Sequence, residues 1–519
     1  MADNFWQWAQ ETPDRPAVIA PETGKTLSYR DLAKRVNQLS HRLQDLGIKP
    51  GDGVAVMIGN EPEWLEALLA AFQVGAYFTP VNFHLTGPEV AYILANSEAE
   101  VFIASDHFAE AATQAVQDSG FSPERAYAVG KIPGFQDYER LLAGASEALP
   151  AERSAGMLML YTSGTTGRPK GVRRPLVGGD PEAMASMFGL LGAVFQIEAG
   201  EGVHLVTGPL YHTAPGGISF ATINMGQTQV LMDKWDALET LRLIERYQVT
   251  SSHMVATMFH RLLKLPEDQK TKYNLASLQT VVHGAAPTPP ETKRQMIEWW
   301  GPVFLEYYGG TEGGGATINS TDWLEHPGSV GKPFPFVEVK ILDEAGQELP
   351  TGDVGEIWCT MPDVGPLGSF EYYKDPEKTA KSQRNGMMTL GDMGYFDDQG
   401  WLFISDRKSD MVISGGVNIY PAEIEAVLLQ HPAVRDAAVF GVPDPEWGES
   451  VKAVLELNPG YVPSEALSQD IHDFAQRSLA RYKLPRSIDY TEELPRSLTG
   501  KLYKRRLRDQ YWQAAGRKI

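Results

Sequence analysis

Cysteine is nearly absent: Cys359 is the one cysteine in 519 residues, which excludes a disulfide within the chain. Chains without disulfides are typical of a reducing compartment, so we expect a cytoplasmic protein whose thiol fills the face of a strand. Long apolar runs are also missing, whereas a bilayer-spanning helix needs roughly 18 or more such residues. The opening residues lack the basic and apolar regions of a signal peptide. The final three residues, 517–519, differ from the Ser-Lys-Leu peroxisomal address.

Positive charge is scarce, because 46 lysines and arginines stand against 66 aspartates and glutamates, a net charge of −20. Such a chain is repelled by a nucleic-acid backbone, so we expect no nucleic-acid partner. A polyphosphate ligand would have to be attracted by local cations rather than by the field of the whole protein. The length predicts roughly two to four domains.

The first hundred residues alternate helix and strand patterns. Ser28 with Asp31 resembles a capping box, and apolar residues from Leu32 to Leu46 then recur at helical spacing. A buried strand is predicted at 54–58, followed by a helix that Asn60 would cap. This alternation predicts an α/β fold with a parallel sheet covered by helices.

A second series of helices and strands begins near residue 410. Pro421 opens a short helix, and 437–442 and 451–457 are predicted strands. The charged turn at 407–410 is a candidate joint between domains. We therefore predict a domain at 1–408 and a smaller one at 409–519.

The stretch YTSGTTGRPKG at 161–171 combines hydroxyl groups, glycines and a lysine. Backbone N–H groups of such a loop can surround a phosphate, and Lys170 would add a point charge. Neither familiar phosphate loop matches, because Lys170 is followed by Gly171 rather than Ser or Thr, and Gly167 is followed by Arg168-Pro169. A solvated surface turn is the alternative, but the apolar run at 157–160 favours a buried strand that leads into a phosphate loop.

Four other segments are weak signals when each is taken alone. Segment 308–312 offers a carboxylate for Mg²⁺, and segment 284–286 offers small residues beside which a flat ring could lie. Segment 389–410 offers an acid that could bind a ribose diol, and segment 494–507 offers a lysine near the end of the chain. Their ordinary interpretations are a glycine turn, a capped turn or solvated charges.

Taken together, these segments resemble one family, the adenylate-forming superfamily of acyl- and aryl-CoA synthetases, firefly-type luciferases and peptide-synthetase adenylation domains. The resemblance spans nearly the whole chain, and its ordered set of motifs is highly specific. The motifs are YTSGTTGRPKG (161–171), PLYHTA (209–214), HGAAP (283–287), YYGGTE (307–312), LGD (390–392), DRKSDMVISGG (406–416) and TGK (499–501).

The resemblance implies a large N-terminal domain of two helix-flanked β-sheets plus a β-barrel, with a small mobile α+β C-terminal domain. It implies ATP, Mg²⁺ and coenzyme A as ligands. The implied ATP and AMP site consists of Thr162, Ser163, Gly164, Thr165, Thr166, Gly167, Lys170, Gly284, Ala285, Ala286, Tyr308, Gly309, Thr311, Asp392 and Arg407. The implied catalytic residues are Lys501, Thr311, Glu312 and His212, with Glu312 as the Mg²⁺ ligand.

The resemblance also implies positions for the other substrates. Gly415 and Gly416 would flank the CoA channel. His212, Gly216, Gly284 and Gly310 would border the acyl pocket. Family members commonly carry Asp or Lys at the hinge, and here Ser409, followed by Asp410, takes that place.

The implied activity is formation of an acyl-AMP from a carboxylic acid and ATP, followed by transfer to CoA. Members that activate amino acids carry an aspartate in the stretch matching 209–213, and none is present here. We therefore expect a hydrophobic acid, bound through its apolar surface. An acyl-AMP ligase that serves a carrier protein, a luciferase and a non-catalytic nucleotide-binding protein stay open as alternatives. The sequence also leaves open the identity of the acid and whether the protein is a homodimer.

Overall fold

The structure is a computed structural model that describes residues 3–162, 169–414, 417–496 and 502–514. Over these ranges it contains 17 α-helices and 27 strands. The helices are α1 Phe5–Glu11, α2 Tyr29–Asp45, α3 Pro62–Gln73, α4 Gly87–Asn96, α5 Ala109–Ser119, α6 Tyr138–Leu142, α7 Pro181–Val194, α8 Thr213–Asn224, α9 Ala237–Tyr247, α10 Ala256–Leu263, α11 Glu267–Lys270, α12 Pro290–Trp300, α13 Ser320–Glu325, α14 Pro376–Ser382, α15 Pro421–Leu428, α16 Glu465–Gln476 and α17 Lys504–Ala514.

The strands of the first half of the chain are β1 Pro16–Ala20, β2 Lys25–Ser28, β3 Gly53–Met57, β4 Tyr77–Pro80, β5 Ala99–Ser105, β6 Ala126–Val129, β7 Gln136–Asp137, β8 Met157–Thr162, β9 Lys170–Arg173, β10 Val203–Val206, β11 Thr228–Leu231 and β12 Ser251–Met254. The remaining strands are β13 Thr280–His283, β14 Phe304–Tyr308, β15 Ala316–Asn319, β16 Ser329–Pro333, β17 Glu338–Leu342, β18 Gly355–Thr360, β19 Glu371–Tyr372, β20 Gln383–Arg384, β21 Met387–Phe396, β22 Leu402–Arg407, β23 Val412–Ser414, β24 Val417–Ile419, β25 Val434–Asp444, β26 Gly448–Leu457 and β27 Ser487–Thr491.

The first sheet runs in the order β19-β9-β8-β4-β3-β5-β6-β7, and all of its strands except β19 lie between residues 53 and 173. Its centre is parallel, and all five residues of β3 are buried. Apolar side chains on both faces are what a parallel sheet covered by helices requires. At one edge, β8 and β9 form an antiparallel hairpin, and the short strand β19 pairs with β9.

The second sheet joins a parallel half to an antiparallel half in the order β17-β18-β21-β22-β16-β15-β14-β13-β12-β10-β11-β1-β2, with β20 paired to β21. Strands β10 to β14 run parallel. The antiparallel strands, where the resemblance led us to expect a barrel, are continuous with this sheet through β15 and β16.

The third sheet, in the order β24-β23-β26-β25 with β27 beside β26, lies in the C-terminal part of the chain. It has a hydrophobic core of its own with α15 and α16, which includes Val412, Ile424, Val439 and Ile471. The predicted α/β class with a small α+β C-terminal part is therefore confirmed. The boundary at 408/409 stays a prediction.

Local signals predicted two helix starts with different success. The capping box of Ser28 and Asp31 is confirmed at the start of α2. The prediction for Asn60 was wrong, because the residue before α3 is Glu61. The buried Asn60 amide instead donates to the carbonyls of Gly208 (3.0 Å) and Met232 (2.8 Å), tying the end of β3 to the second sheet.

Cys359 is buried in β18, as predicted for a thiol on a strand face. Burial raises its pKa to about 12. Among the described residues, no helix has both the length and the apolar character needed to cross a bilayer.

Candidate active site

Two of the predicted motifs begin directly after the ends of neighbouring strands, and a third lies at the start of a strand of the first sheet. Gly284 comes directly after β13, Gly309 comes directly after β14, and Lys170 begins β9. Strands β13 and β14 are parallel neighbours, so their carboxyl ends lie side by side. Ligands of α/β proteins bind at this edge of a parallel sheet.

The segment expected to hold the ribose is organised by pairing between β21 and β22. Asp392 and Arg407 are direct partners across the two strands, and Arg407 Nε lies 3.3 Å from Asp392 Oδ1. The Tyr308 hydroxyl donates to Asp392 Oδ2 at 2.9 Å. Burial raises the pKa of Tyr308, and the charge of Asp392 raises it further. The hydroxyl therefore stays protonated and can donate this hydrogen bond. The structure thus brings together three of the predicted nucleotide residues.

The segment expected to contact adenine is shaped by close backbone approach. A Cβ on Gly284 would lie 2.6 Å from the Tyr307 carbonyl oxygen and 2.7 Å from its ring, so no larger side chain fits there. Ala285, exposed at the edge, has a φ of +66°. Left-handed backbone at alanine is uncommon and concentrates at ligand-binding positions. Ala286 follows it, half-buried.

A buried ion pair packs against strands β13 and β14. Lys293 of α12 donates to Glu306 of β14 at 2.6 Å, and the Lys293 ammonium lies 4.7 Å from the centre of the Trp323 ring. His283, the last residue of β13, lies 4.0 Å from the same carboxylate. Burial lowers the pKa of Lys293 and raises that of Glu306, while their mutual attraction opposes both shifts. The pair therefore fixes the strands that lead to Gly284 and Gly309.

The Thr311–Glu312 segment forms a tight turn held from three sides. Gly310 N donates to the Gly313 carbonyl at 2.8 Å. The Thr311 hydroxyl lies 2.7 Å from that of Thr213, the first residue of α8. Arg174 Nη2 donates to the Glu312 carbonyl at 2.6 Å. The turn is thus fixed to both α8 and the segment after β9.

Charged and phenolic groups surround the Glu312 side chain. Its carboxylate accepts a hydrogen bond from the Tyr372 hydroxyl at 2.6 Å. The Lys378 ammonium lies 3.8 Å from the centre of the Tyr372 ring. Lys170 forms an ion pair with Asp375. This cluster joins β9, β19 and the start of α14 at the place where phosphates are expected.

His212 directly precedes α8 and packs against Tyr211, with ring centres 4.3 Å apart. Burial, with a smaller contribution from the nearby His84, lowers the pKa of His212 to about 4. His212 is therefore neutral at physiological pH. A neutral ring beside Thr213 can contact a substrate without adding charge.

The glycines expected at the acyl pocket lie against protein atoms. A Cβ added to Gly216 would meet the Leu210 carbonyl and the Trp64 indole, and one added to Gly284 would meet the Tyr307 ring. A Cβ added to Gly310 would lie 3.0 Å from the Leu390 side chain and 3.2 Å from the Glu312 carboxylate. These three glycines therefore allow close packing of the neighbouring groups against the backbone. At Gly217 a Cβ would meet no atom within 4 Å.

Several predicted site residues lie outside the described residues: Ser163, Gly164, Thr165, Thr166, Gly167, Gly415, Gly416 and Lys501. The flanks of two of these segments are described. Thr162 pairs with Lys170 across the β8–β9 hairpin. The backbone of Arg496 pairs with that of Leu502 in an isolated antiparallel β-bridge, and its guanidinium donates to the Asp436 carboxylate at 2.5 and 2.7 Å. The predicted hinge residue Ser409 lies in a turn, and its carbonyl accepts from Arg508 at 2.9 Å.

Sequence reasoning missed Thr213, Arg174, Tyr372, Asp375 and Lys378. Asp375-Pro376 is a typical helix start, and Asp375 does cap α14, so the helix could have been predicted. Its place beside Lys170, 205 residues earlier in the chain, has no local signal.

The residues around Glu312 fit a nucleotide that carries Mg²⁺. Among the described residues, no group of three or more His, Cys, Asp or Glu side chains could hold a metal by itself. Mg²⁺ typically takes one or two carboxylates together with phosphates and water, so a single carboxylate beside cations suits it.

Comparison with known proteins gives consistent results over the whole chain. The profile of the AMP-binding enzyme family matches residues 5–366, and that of the AMP-binding enzyme C-terminal domain matches residues 423–501. The chain is 34% identical to a feruloyl-CoA synthase from Amycolatopsis, over 96% of this chain and 98% of the relative. It is 32% identical to the fatty acid–[acyl-carrier-protein] ligase ScoC from Streptomyces coeruleorubidus, over 98% and 96%.

A solved structure of similar fold is the o-succinylbenzoate CoA synthetase from Bacillus subtilis in complex with its acyl-adenylate intermediate. It superposes with a TM-score of 0.80 at 29% identity, over 98% of each chain.

Proposed function

Because the chain belongs to the AMP-binding enzyme family, in the acyl-CoA ligase branch of the adenylate-forming superfamily, we propose that it is an ATP-dependent acyl-CoA synthetase. It converts a hydrophobic carboxylic acid and ATP to acyl-AMP and pyrophosphate, then transfers the acyl group to coenzyme A and releases AMP. The observation that carries this proposal is the Thr311–Thr213 hydrogen bond of 2.7 Å. It joins the turn that carries Glu312 to the helix start beside His212, so the proposed nucleotide and acid sides of the site would be adjacent.

In the first half-reaction, a carboxylate oxygen of the acid attacks the α-phosphorus, and pyrophosphate leaves with the electrons of the broken P–O bond. Both reactants are anions, so the site must offset their repulsion. Lys170, Arg174 and Lys378 lie around the Glu312 turn. Mg²⁺ held by Glu312 would supply further positive charge at the phosphates. The carboxylate is already ionised, so no general base is required.

Tyr308, Asp392 and Arg407 would bind the adenosine moiety in this proposal. The hydrogen bond of 2.9 Å from Tyr308 to Asp392 and the Asp392–Arg407 contact of 3.3 Å hold the carboxylate still. A carboxylate that is already held in place can accept hydrogen bonds from both hydroxyls of a ribose diol without losing further side-chain entropy. Gly284, Ala285 and Ala286 would pass beside the base, where the left-handed Ala285 exposes backbone.

The second half-reaction needs a thiol at the carbonyl that Lys501 would contact in the first. A turn at Ser409 that lets the C-terminal part rotate is therefore proposed. The third sheet with its own core supports a unit that can move as one body. In that orientation Gly415 and Gly416 would flank the thiol channel.

The acid is proposed to be bulky and apolar. His212 is neutral, and Tyr211 and Met225 near the start and end of α8 are buried. Near Gly284, the Phe195 ring lies 5.7 Å from that of Tyr307 and 6.4 Å from that of Phe334, measured between ring centres. Each buried CH₂ of a substrate would contribute about 0.8 kcal/mol, so acetate should be poorly used.

A carrier protein is the second candidate acceptor. The 32% identity to a fatty acid–[acyl-carrier-protein] ligase favours this alternative. Acyl-AMP would form in the same way, and a phosphopantetheine arm would replace CoA.

The test is release of pyrophosphate with acids from acetate to palmitate, a benzoate, a ferulate and a bile acid. Each reaction is run without acceptor, with CoA and with a loaded carrier protein. We expect acid-dependent pyrophosphate release and a thioester in the CoA reactions. A preference for acetate would contradict the proposed pocket, and absence of release with every acid would contradict the proposed activity.

A further inference from the structure

Lys378 carries a half-buried positive charge beside the proposed phosphate site. It lies in the first turn of α14, where its backbone N–H donates to the capping Asp375 at 3.1 Å. The same Asp375 is paired with Lys170. The helix start therefore places the Lys378 side chain close to the phosphate lysine predicted from the sequence.

The Lys378 ammonium packs on an aromatic ring instead of a carboxylate. It lies 3.8 Å from the centre of the Tyr372 ring, whose hydroxyl donates to Glu312 at 2.6 Å. Within the described residues, no carboxylate oxygen comes within 4.0 Å of this ammonium. Removing an ammonium from water without an anion beside it is costly, so an anionic ligand here would restore the lost interaction.

The charges around the ammonium favour an anion. Lys170, Arg174 and Lys378 contribute three positive charges, whereas Glu312 and Asp375 contribute two negative ones. Burial lowers the pKa of Lys378, and Lys170 lowers it further, while Glu312 and Asp375 oppose this. Added negative charge would favour the protonated ammonium.

We propose that Lys378 binds the β- and γ-phosphates of ATP and the pyrophosphate that leaves, and that Tyr372 positions the Glu312 carboxylate beside it. This inference rests on the proposed function and assigns a residue to its leaving-group side. As the carboxylate–phosphorus bond forms and the bridging P–O bond breaks, negative charge grows on the β-phosphate oxygen. An ammonium held beside that oxygen stabilises the transition state more than the ground state.

The test compares Lys378→Met with Lys381→Met, a matched control. Lys381 is exposed and lies in the last turn of the same helix. For Lys378→Met we expect acyl-AMP formation to fall by about 10²–10³-fold, the range for losing one charge-stabilising donor. The KM for ATP and the inhibition constant for added pyrophosphate should both rise. Thioester formation from supplied acyl-AMP should be unchanged, because that step involves no pyrophosphate.

Lys378→Arg and Tyr372→Phe refine the result. Arginine keeps the charge and should restore much of the pyrophosphate affinity, and Tyr372→Phe should weaken Mg²⁺-dependent adenylation without loss of the transfer step. Native ATP and pyrophosphate constants in Lys378→Met, or equal loss of both half-reactions, would overturn the inference. Those outcomes differ from failure of the proposed function, in which the native protein itself releases no pyrophosphate with any acid.

Discussion

Replacing Arg174 by methionine tests how much the Glu312 turn depends on one guanidinium. Arg174 follows β9 directly, and its Nη2 donates to the Glu312 carbonyl at 2.6 Å, with the Thr311 carbonyl at 3.5 Å. Its Nη1 donates to the Ser369 carbonyl at 3.1 Å. Methionine preserves much of the apolar length but donates no hydrogen bond. The change should therefore loosen the turn between β14 and β15 while leaving both strands in place.

The size of the effect follows from the hydrogen bonds lost. A hydrogen bond from a charged donor contributes roughly 1.5–3 kcal/mol, and here the short bond to the Glu312 carbonyl dominates. If all of this energy is expressed in positioning the α-phosphate, kcat/KM for ATP falls by about 10- to 150-fold. Lysine at this position keeps the charge but cannot reproduce the fork, so Arg174→Lys should recover only part of the loss.

ATP–pyrophosphate exchange measured against ATP concentration is the assay. Arg173→Met is the matched control, because Arg173 packs between the rings of Tyr77 and Tyr373, at 4.1 and 4.4 Å, away from the turn. That control should lower thermal stability with little change in the KM for ATP. Native kcat/KM in Arg174→Met, or equal losses in both variants, would refute the reasoning.

Three further predictions address other parts of the site. Lys293→Met should lower the unfolding free energy by about 3–5 kcal/mol because it leaves the Glu306 carboxylate buried without its partner. Urea unfolding measures this, with Arg294→Met, at a partly exposed position of the same helix, as the control. Burial lowers the pKa of His212 to about 4 from its usual 6.5, so between these pH values the unfolded chain binds more protons and stability falls as the pH drops. His212→Gln should therefore lose less stability than the native protein between pH 7 and pH 5. An equal loss in both proteins would contradict this assignment. Lys501→Ala should slow adenylation by about 10²–10³-fold while transfer from supplied acyl-AMP to CoA survives, and equal loss of both steps would exclude a lysine that acts in only one orientation.

The parts of the fold that the sequence predicted are those that depend on neighbours along the chain. Helix α2 begins at its capping box because Ser28 and Asp31 are three residues apart, and its buried face is a repeat of three and four residues. The prediction for Asn60 failed because its amide bonds to carbonyls 148 and 172 residues away. A side chain with a strong tertiary partner does not obey its local preference.

In the candidate site, too, the features that could be predicted from the sequence are those formed by residues close together in the chain. Motifs such as 307–312 could be recognised because the turn that holds Glu312 is contiguous, and the pairing of Asp392 with Arg407 needs only two adjacent strands. Tyr372 reaches Glu312 across 60 residues, and no spacing rule connects them. The close approach of Tyr307, in β14, to Gly284, which follows β13, likewise joins two segments that no local pattern connects.

The net charge of −20 does not prevent a triphosphate from binding, because the electrostatic potential at the site depends mainly on charges at short range. At physiological ionic strength, charges separated by more than about 8 Å are largely screened, so most surface carboxylates contribute little to the potential at the site. Within the site, Asp375 is engaged with Lys170, and Glu312 is engaged with Tyr372. The guanidinium of Arg174 donates to the backbone carbonyls of Glu312 and Ser369. The cations next to the Glu312 turn are therefore brought together by contacts between segments distant in the chain, and composition alone could not have indicated them.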